Sequence, residues 1–431
     1  MWKWIGRHLS IIVPAASGLA LVFVIGVAIG HLRWQPAPIV GSAIAALRDL
    51  TVNADAYLFG VPNQHLRDRR FSQDGVVLSD LESMQPGVTF ISGLFGNRLG
   101  VRLYSAAGQL LYEWPINFFE VDPDVMNYPF DALIHGDHLY ASGEFLAVFD
   151  GRGIVRVSPC GELIWRNKRW SHHSIDLDEE GFLWTPVYGE PYDDPRVIER
   201  PFRFDRIAKF DPKTGKKLVE VDLVAALVDS DKVGLAIANR PTFHDVMHLN
   251  DVEVLTADVA PFFPMFEAGD LLLSSRHFNQ LWVVSPRESR IKWTFSGPMI
   301  GQHDPDFQPD GTITVFDNRT GGTAKPINDY LGNKGGSRIL AIDPASNEHR
   351  VLYQSDARNT FYTPYRGKHQ ILDNGNILIT ETDAGRVFEV TTQGDVVWSF
   401  VNGYDEERVG WVMSATRYPE SYAAIADTKC P

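Results

Sequence analysis

The sequence predicts an all-β protein, a six-bladed β-propeller with an N-terminal transmembrane helix. Three observations support this fold: short apolar strands separated by Gly, Asp, Asn and Pro turns, a repeat of about 50 residues, and one long uncharged stretch near the N-terminus. Helical periodicity is scarce beyond Val88, and only residues 218–227 are predicted to form a short helix within that region. The propeller is expected to occupy residues 88–431.

The N-terminal stretch predicts how the chain meets a membrane. Lys3 and Arg7 precede residues 10–30, which contain no charged side chain and approach the ~20 residues that cross a bilayer. Basic residues in front favour a cytoplasmic N-terminus and an exported body. We therefore expect residues 1–32 to form an uncleaved signal anchor. A cleaved signal peptide ending near Gly30 is the alternative.

Residues 33–87 are predicted to be a connector. Pro36 and Pro38 break any continuing helix. Residues 39–52 could then form a short helix, and the basic run at residues 65–70 is typical of a solvated stalk near a membrane.

The repeat is visible in six apolar strands, several of which end in Trp. Their spacings are 51, 54, 74, 60 and 45 residues, and the 74-residue spacing contains an insertion at residues 257–264. Units of this size with about four strands each predict six propeller blades, whereas a two-sheet sandwich needs no such even spacing. The last strand is expected to pair with an N-terminal segment, because an unpaired sheet edge can associate with other chains. The six strand ends are Trp114, Trp165, Val219, Trp293, Tyr353 and Trp398.

Charge and cysteine content exclude several classes of protein. The net charge of -14 argues against nucleic acid as a partner. Two cysteines are too few for a disulfide framework or a CxxC metal cluster. Cys160 and Cys430 either form a disulfide that ties the C-terminal tail to an early blade or are unrelated thiols.

Histidines recur at equivalent positions of the repeat. His173 lies eight residues before Gly181, and His303 lies eight before Gly311. His248 opens a similar strand, whereas His369 is two residues out of this register and is a weaker candidate. Because blades surround a central channel, we expect the first three imidazoles to meet there.

Three chemistries would use such a histidine ring. It could bind a metal ion, supply a covalent nucleophile, or recognise an anion without reaction. Arg276 ends an apolar strand expected beside the His248 strand. A guanidinium there would repel a metal dication but suits phosphate or sulfate. A surface salt bridge is the alternative role for this arginine.

Several motifs resemble the bacterial arylsulfate sulfotransferases, or arylsulfotransferases, over roughly residues 172–400. The most specific are the His-x-Asn pair of His248 and Asn250, the Ser-Ser-Arg-His run at Arg276, and the Gln-His…Phe-Asp-Asn run from Gln302 to Asn318. The resemblance implies a periplasmic six-bladed enzyme that moves a sulfuryl group from an aryl sulfate to a phenol without a nucleotide donor. It implies no cofactor and no metal, with an aryl sulfate and a phenolic acceptor as small-molecule partners, while the N-terminal helix is expected to make the contact with the membrane.

The resemblance also implies roles for single residues. His303 would be the transiently sulfated nucleophile, while His248, Asn250 and Arg276 would hold sulfuryl oxygens and His173 would line the site. In such a reaction His173 could protonate the leaving phenolate and later deprotonate the acceptor. With the anchor, it places a single-pass protein in the inner membrane with its catalytic domain in the periplasm. The connector looks too short for the dimerisation domain of better-known members, which leaves the oligomeric state open.

Two other functions remain open from the sequence. One is a membrane-anchored, non-catalytic propeller that binds an anionic or aromatic ligand, and the other is a metal-dependent hydrolase or lyase. Phe262, Phe263 and Phe266 on the insertion could cover a phenyl ring or cap the loop with apolar contacts.

Overall fold

The computed structural model describes residues 62–122, 133–237, 245–320 and 332–431, together with Phe23, Gly26 and Val27. Apart from those three residues, the predicted transmembrane segment lies outside this description, as does the predicted helix at residues 39–52. No described helix is long and apolar enough to span a membrane. The chain divides into two compact units, Met1–Asn63 and Gln64–Pro431, and the second carries all the described strands.

Six antiparallel sheets form six propeller blades in the described chain, which confirms the predicted architecture. In blades 2 to 5 the four strands follow chain order from the innermost to the outermost. These strands are β6 (Ile134–Leu139), β7 (Phe145–Phe149), β8 (Gly153–Val157) and β9 (Leu163–Asn167) in blade 2; β10 (Asp176–Leu177), β11 (Leu183–Val187), β12 (Arg206–Phe210) and β13 (Lys217–Asp222) in blade 3; β14 (Leu249–Val254), β15 (Leu271–Ser275), β16 (Gln280–Ser285) and β17 (Arg290–Ser296) in blade 4; and β18 (His303–Phe307), β19 (Ile313–Asp317), β20 (Arg338–Ile342) and β21 (His349–Gln354) in blade 5.

The ring closes through strands from both ends of the second unit. The C-terminal strand β27 is the innermost strand of blade 1, with Ala415 opposite Ile91, and β2 is a fifth, outermost strand of blade 6, with Ser79 opposite Trp398. The ends therefore pair as expected, because β27 covers the edge of β3 and β2 covers the edge of β25. The strands involved are β1 (Leu66–Asp68), β2 (Gly75–Ser79), β3 (Val88–Phe95), β4 (Arg98–Ser105), β5 (Leu110–Glu113), β22 (Lys368–Ile371), β23 (Ile377–Glu381), β24 (Arg386–Val390), β25 (Val396–Val401), β26 (Arg408–Gly410), which pairs with β1, and β27 (Val412–Tyr418).

The segment predicted as a connector contributes to the propeller. β1 and β2 fall within it, and the compact unit begins at Gln64 rather than Val88. Its basic run is not a solvated stalk, because Arg67 contacts Asp383 at 3.0 Å and Arg70 contacts Glu381 at 2.5 Å. Carboxylates of blade 6 thus neutralise charges that appear free in the sequence.

The predicted unit ends mark the outer rim of the propeller. All six lie in or directly after the outermost of the four consecutive strands of a blade. On β17 the side chains of Ile291, Trp293 and Phe295 are buried while their neighbours are more exposed, because one face meets the next blade and the other meets solvent. Middle strands such as β15 and β19 are buried throughout, since both of their faces pack against neighbouring blades.

Helices are short and lie in loops. The predicted helix at residues 218–227 begins later, because residues up to Asp222 belong to β13 and the Asp222 carboxylate accepts hydrogen bonds from the amides of Val224 and Ala225. Among the residues described from position 62 onward, the helices are α1 (Phe118–Val121), α2 (Leu223–Asp229) and α3 (Gly234–Ile237), with 3-10 turns at Asn63–His65, Ala260–Phe262, Gly332–Lys334, Thr382–Ala384 and Glu420–Asp427.

Cys160 and Cys430 form a disulfide with a Cα–Cα distance of 5.4 Å. Cys160 lies in the turn between β8 and β9, and Cys430 follows the last 3-10 turn. Of the two alternatives left open by the sequence, the bonded one is present, and it ties the C-terminal tail to blade 2.

Candidate functional site

A cavity of about 310 Å³ lies where the innermost strands begin. This volume is at the lower end of small-molecule sites, which span ~300–1,000 Å³. Four of the predicted site residues, His173, His248, Arg276 and His303, line this one cavity, and Asn250 lines a smaller space that adjoins it. The full lining comprises Leu133, His135, Asp150, His173, His248, Arg276, His303, Tyr365 and Arg366.

Left-handed backbone conformations direct several of these side chains. His173, His248 and Arg366 have φ values of 67°, 49° and 61°, which non-glycine residues rarely adopt. Each lies within three residues of the start of an innermost strand, β10, β14 or β22. Such strain persists only where the surrounding structure imposes it, and it clusters at functional sites.

A fixed backbone holds His303 at the start of β18. The preceding residue, Gln302, is fully buried, and its Nε2 donates hydrogen bonds to Ser274 Oγ and to the carbonyl oxygens of Ser275 and Gln280. Asn250 Nδ2 in turn donates to the Gln302 carbonyl at 2.7 Å. Blade 4 therefore sets the position of the blade 5 histidine.

Asn318 determines the tautomer of His303. Asn318 Nδ2 donates to the carbonyl oxygens of Thr363 and Arg366 at 2.9 and 2.6 Å, so its Oδ1 must face the imidazole. His303 Nδ1 lies 2.8 Å from that oxygen and donates to it. The lone pair is consequently on Nε2, which the Arg366 backbone N–H approaches at 3.3 Å.

His303 is held in its neutral form. Burial lowers the pKa of this imidazole, and the charge of Arg276 lowers it further, to about 3. A ring nitrogen with an unprotonated lone pair is therefore present at neutral pH, as a nucleophile requires.

Arg276 brings a positive charge to the cavity. Its backbone N–H donates to the His248 carbonyl at 3.1 Å, so the two residues are neighbours as expected from the pairing of β14 with β15. The guanidinium lies 5.4 Å from the centre of the Tyr365 ring. The guanidinium makes no ion pair or hydrogen bond with any other described residue, so the alternative role of Arg276 in a surface salt bridge does not apply. It is therefore available to an anionic ligand.

His248 and His173 complete the same side of the cavity. Their ring centres are 5.0 Å apart, and His248 Nδ1 donates to Asp245 Oδ2 at 2.6 Å. The Nδ1 atoms of His172 and His173 are 2.9 Å apart, so one of the two rings donates a hydrogen bond to the other. Burial lowers the pKa of His173 well below its usual range, with His248 adding to the effect. His173, rather than His172, is thus the member of the pair that lines the cavity.

A comparison with known protein families identifies the family of this chain. A family model described as arylsulfotransferase (ASST) matches residues 140–403, which is more than half of the chain. The chain belongs to the arylsulfotransferase family. The expected resemblance is thereby confirmed over a range that includes every predicted site residue.

No curated protein matches the sequence significantly. Similar solved structures include a Bacteroides caccae protein of unknown function (12% identity, 77% of this chain and 98% of that chain, TM-score 0.48), a streptogramin B lyase (12%, 79% and 87%, TM-score 0.40) and TolB from Acinetobacter baumannii (9%, 78% and 68%, TM-score 0.43). These values are too low to carry an argument about function.

The cavity of this arylsulfotransferase-family chain contains residues that the sequence reasoning missed. His135 lies eight residues before Gly143, the same register that identified His173 and His303, and so could have been found. Asp150, Tyr365 and Arg366 come from turns and strand entries rather than from the repeat itself. Their positions carry no sequence signal that we can identify.

Two weaker expectations are corrected or resolved by the structure. His369 does not line the large cavity, because its Nδ1 and Nε2 contact Asp304 and Thr314 within the channel. The insertion follows Val254 at the C-terminal end of β14, whereas His248 precedes the N-terminal end of the same strand. Phe263 and Phe266 there are buried against Phe307, so they cap the core and do not cover the cavity.

Two side-chain groups in the described parts of the chain have the geometry to hold a metal ion. In each, the candidate ligand atoms lie within 4.8 Å of one another. The first group includes His248, which lines the cavity, and the second group lies on the innermost strands β18 and β22. The groups are Asp245, His248 and His277, and Asp304, Asp306 and His369.

Proposed function

We propose that this protein transfers a sulfuryl group from an aryl sulfate to a phenol through a sulfo-histidine intermediate on His303, without a nucleotide donor. The observation that carries the proposal is the neutral His303 ring, protonated on Nδ1, in a cavity that it shares with the guanidinium of Arg276, which has no ion-pair partner among the described residues. Membership of the arylsulfotransferase family supports the same reaction class.

The first half-reaction forms a bond between His303 Nε2 and sulfur while the ester S–O bond breaks. The electron pair of that bond leaves on the phenolate, and the Nδ1 proton remains hydrogen-bonded to Asn318 Oδ1. The backbone N–H of Arg366 must release Nε2, and its 3.3 Å separation marks a weak contact. A second phenol then attacks sulfur and regenerates neutral His303.

Charge on the sulfuryl oxygens is stabilised by the groups around Nε2. Arg276 supplies a full positive charge, and His248, whose Nδ1 donates to Asp245, donates a second hydrogen bond from Nε2 when both of its ring nitrogens are protonated. Asn250 uses one N–H on Gln302 and keeps the second for a sulfuryl oxygen. Loss of one such contact typically costs ~3–4 kcal/mol in the transition state.

Proton transfer to the leaving phenolate requires a group other than protonated His173. Its low pKa leaves that ring neutral at neutral pH, so we assign it a hydrogen bond to the phenolic oxygen. Asp150 lines the same cavity, and burial raises the pKa of its carboxyl group. We assign to Asp150 the proton given to the leaving phenolate and later taken from the acceptor.

We also propose that residues 1–32 anchor the protein in the inner membrane with its catalytic domain in the periplasm. The disulfide between Cys160 and Cys430 fits an oxidising compartment. Protease treatment of spheroplasts tests this topology. Digestion of the folded domain only after the outer membrane is opened supports it, whereas protection until the inner membrane is broken contradicts it.

A metal-dependent hydrolase or lyase is the second candidate function. Asp245, His248 and His277 place two imidazoles and one carboxylate within ligand reach of one another. A chelator would abolish that activity but would leave sulfuryl transfer to His303 intact. A non-catalytic binding propeller would show no turnover with any aryl sulfate while remaining folded.

Intact-protein mass spectrometry after mixing with p-nitrophenyl sulfate tests the intermediate. We expect one sulfuryl adduct on the wild type, none on His303→Ala, and transfer of the adduct to added phenol. His349→Ala is the matched control, because His349 lies exposed on the outermost strand β21. Absence of an adduct on folded wild type that nevertheless turns over would refute the covalent mechanism.

A further inference from the structure

We infer that Arg366 and His135 form an anion-binding subsite that selects acceptor phenols carrying a carboxylate or similar acidic substituent. This inference rests on the proposed sulfuryl transfer at the same cavity. Both residues line the 310 Å³ cavity and also the smaller space that adjoins it, and His303 lines both spaces as well. Neither has a role in holding the sulfuryl group.

Arg366 presents a fixed and unpaired positive charge. Its guanidinium lies 4.3 Å from the centre of the Trp411 ring, and Arg67 lies 4.2 Å from the same ring. Arg67 is neutralised by Asp383 at 3.0 Å, whereas within the described chain the Arg366 guanidinium has no ion-pair or hydrogen-bond partner. Stacking leaves the in-plane N–H groups free, which is the geometry that binds a carboxylate.

His135 supplies the second, independent observation. It is only 4% exposed, and in the described structure neither of its ring nitrogens has a hydrogen-bond partner. Burial lowers the pKa of this ring well below its usual range, with Lys368 and Arg366 contributing, so it is a neutral donor and acceptor. A buried polar group without a partner is costly, and a ligand in the cavity would satisfy it.

The charge balance of the cavity favours an acidic acceptor. When His303 holds the sulfuryl group, its imidazolium charge and the sulfonate charge cancel. Arg276 and Arg366 then face Asp150 as the one carboxylate lining the 310 Å³ cavity, which leaves one positive charge if Asp150 is ionised and two if it is protonated. In the smaller space Asp304 pairs with Lys368 at 3.4 Å, and burial raises the pKa of Asp251 well above its usual range, so these groups add no net charge. An acceptor that brings a carboxylate cancels one of these charges. A plain phenol does not.

Binding and transfer measurements together test the subsite. Calorimetry would compare p-hydroxybenzoate with phenol on wild type, Arg366→Gln, His135→Ala and the exposed control Arg350→Gln. We expect wild type and the control to bind p-hydroxybenzoate ~10- to 100-fold more tightly than phenol, as for a charge-assisted contact, and Arg366→Gln to lose most of this preference. His135→Ala should lose a smaller part.

Wild-type kcat/KM for the two acceptors, with p-nitrophenyl sulfate as donor, should show the same preference. Equal binding of both phenols to the wild type overturns the inference, even if transfer to each is rapid. Preferential binding of p-hydroxybenzoate without transfer to either phenol supports the subsite but contradicts the proposed function. Arg366→Gln that retains the full preference would also overturn the assignment.

Discussion

The low pKa of His303 predicts that the first half-reaction continues in acid. The rate of attack by Nε2 follows the fraction of His303 that is neutral, since protonation removes the lone pair. Burial, followed by the charge of Arg276, lowers the pKa of His303 to about 3. The acid limb of the rate profile should therefore lie far below that of an ordinary histidine. Replacing Arg276 with Gln removes the second cause and should move the limb to higher pH.

The expected difference is large at mildly acidic pH. At about pH 5, a histidine with a pKa of ~6.5 is only ~3% neutral, whereas one with a pKa of ~3 is ~99% neutral, a difference of roughly 30-fold in nucleophile concentration. The wild-type rate should thus be almost flat between about pH 8 and pH 5. Arg276→Gln should be slower at every pH, because a sulfuryl contact is lost, and should also begin to fall at higher pH than the wild type.

Rapid-quench measurement of p-nitrophenol release isolates this step. The p-nitrophenolate ion is weakly basic, so its departure needs little help from an acid and the profile reports on His303. Arg350→Gln, on the exposed rim, should reproduce the wild-type profile. A wild-type acid limb near an ordinary histidine pKa, ~6.5, would show that the nucleophile is not the buried His303.

Three further outcomes follow from the packing and hydrogen bonds. Replacing Cys160 and Cys430 with Ser should lower the free energy of unfolding by ~2–5 kcal/mol in chemical denaturation, because the disulfide closes a long loop, and an unchanged midpoint contradicts this. Phe263→Ala should cost ~3–5 kcal/mol of stability but leave KM for aryl sulfates unchanged, and a raised KM in folded protein would place this ring at the site after all. Asp245→Asn should lower kcat/KM about 10-fold, because it weakens the charge-assisted hydrogen bond to His248. An unchanged thermal stability is the control for folding. An unchanged kcat/KM would show that His248 does not contribute to the transition state.

The number of blades was predictable because the outer strand of each blade requires a large apolar side chain at a similar position. Trp165, Trp293 and Trp398 each lie on an outer strand, where a large side chain fills the space between diverging blades. β1 and β2 were missed because their partners are distant in sequence. Arg67 looks solvated until Asp383, more than three hundred residues away, is placed beside it.

The site was only partly predictable, since the repeat register reports on strand positions alone. It identified His173 and His303, and it applies equally to His135, which was overlooked. In blade 6 the equivalent position is Gly367, eight residues before Gly375, so no imidazole marks that strand and the neighbouring Arg366 carries no signal. The hydrogen bond that fixes the His303 tautomer joins the first residue of β18 to Asn318, the residue after β19, and the periodicity of the strands does not predict it.

The residues directly before the innermost strands explain why the site lies at repeated positions of the blades although its residues do not all follow the repeat. His173, His248 and Arg366 all adopt left-handed φ values before an innermost strand, at a cost of about 1–3 kcal/mol each. A regular strand would send alternate side chains into the blade interior, where an unpartnered imidazole or guanidinium is unfavourable. These three residues instead line the cavity, where an anion can contact their side chains. The strain is therefore consistent with a binding cavity and has no evident purpose in a propeller whose channel is only structural.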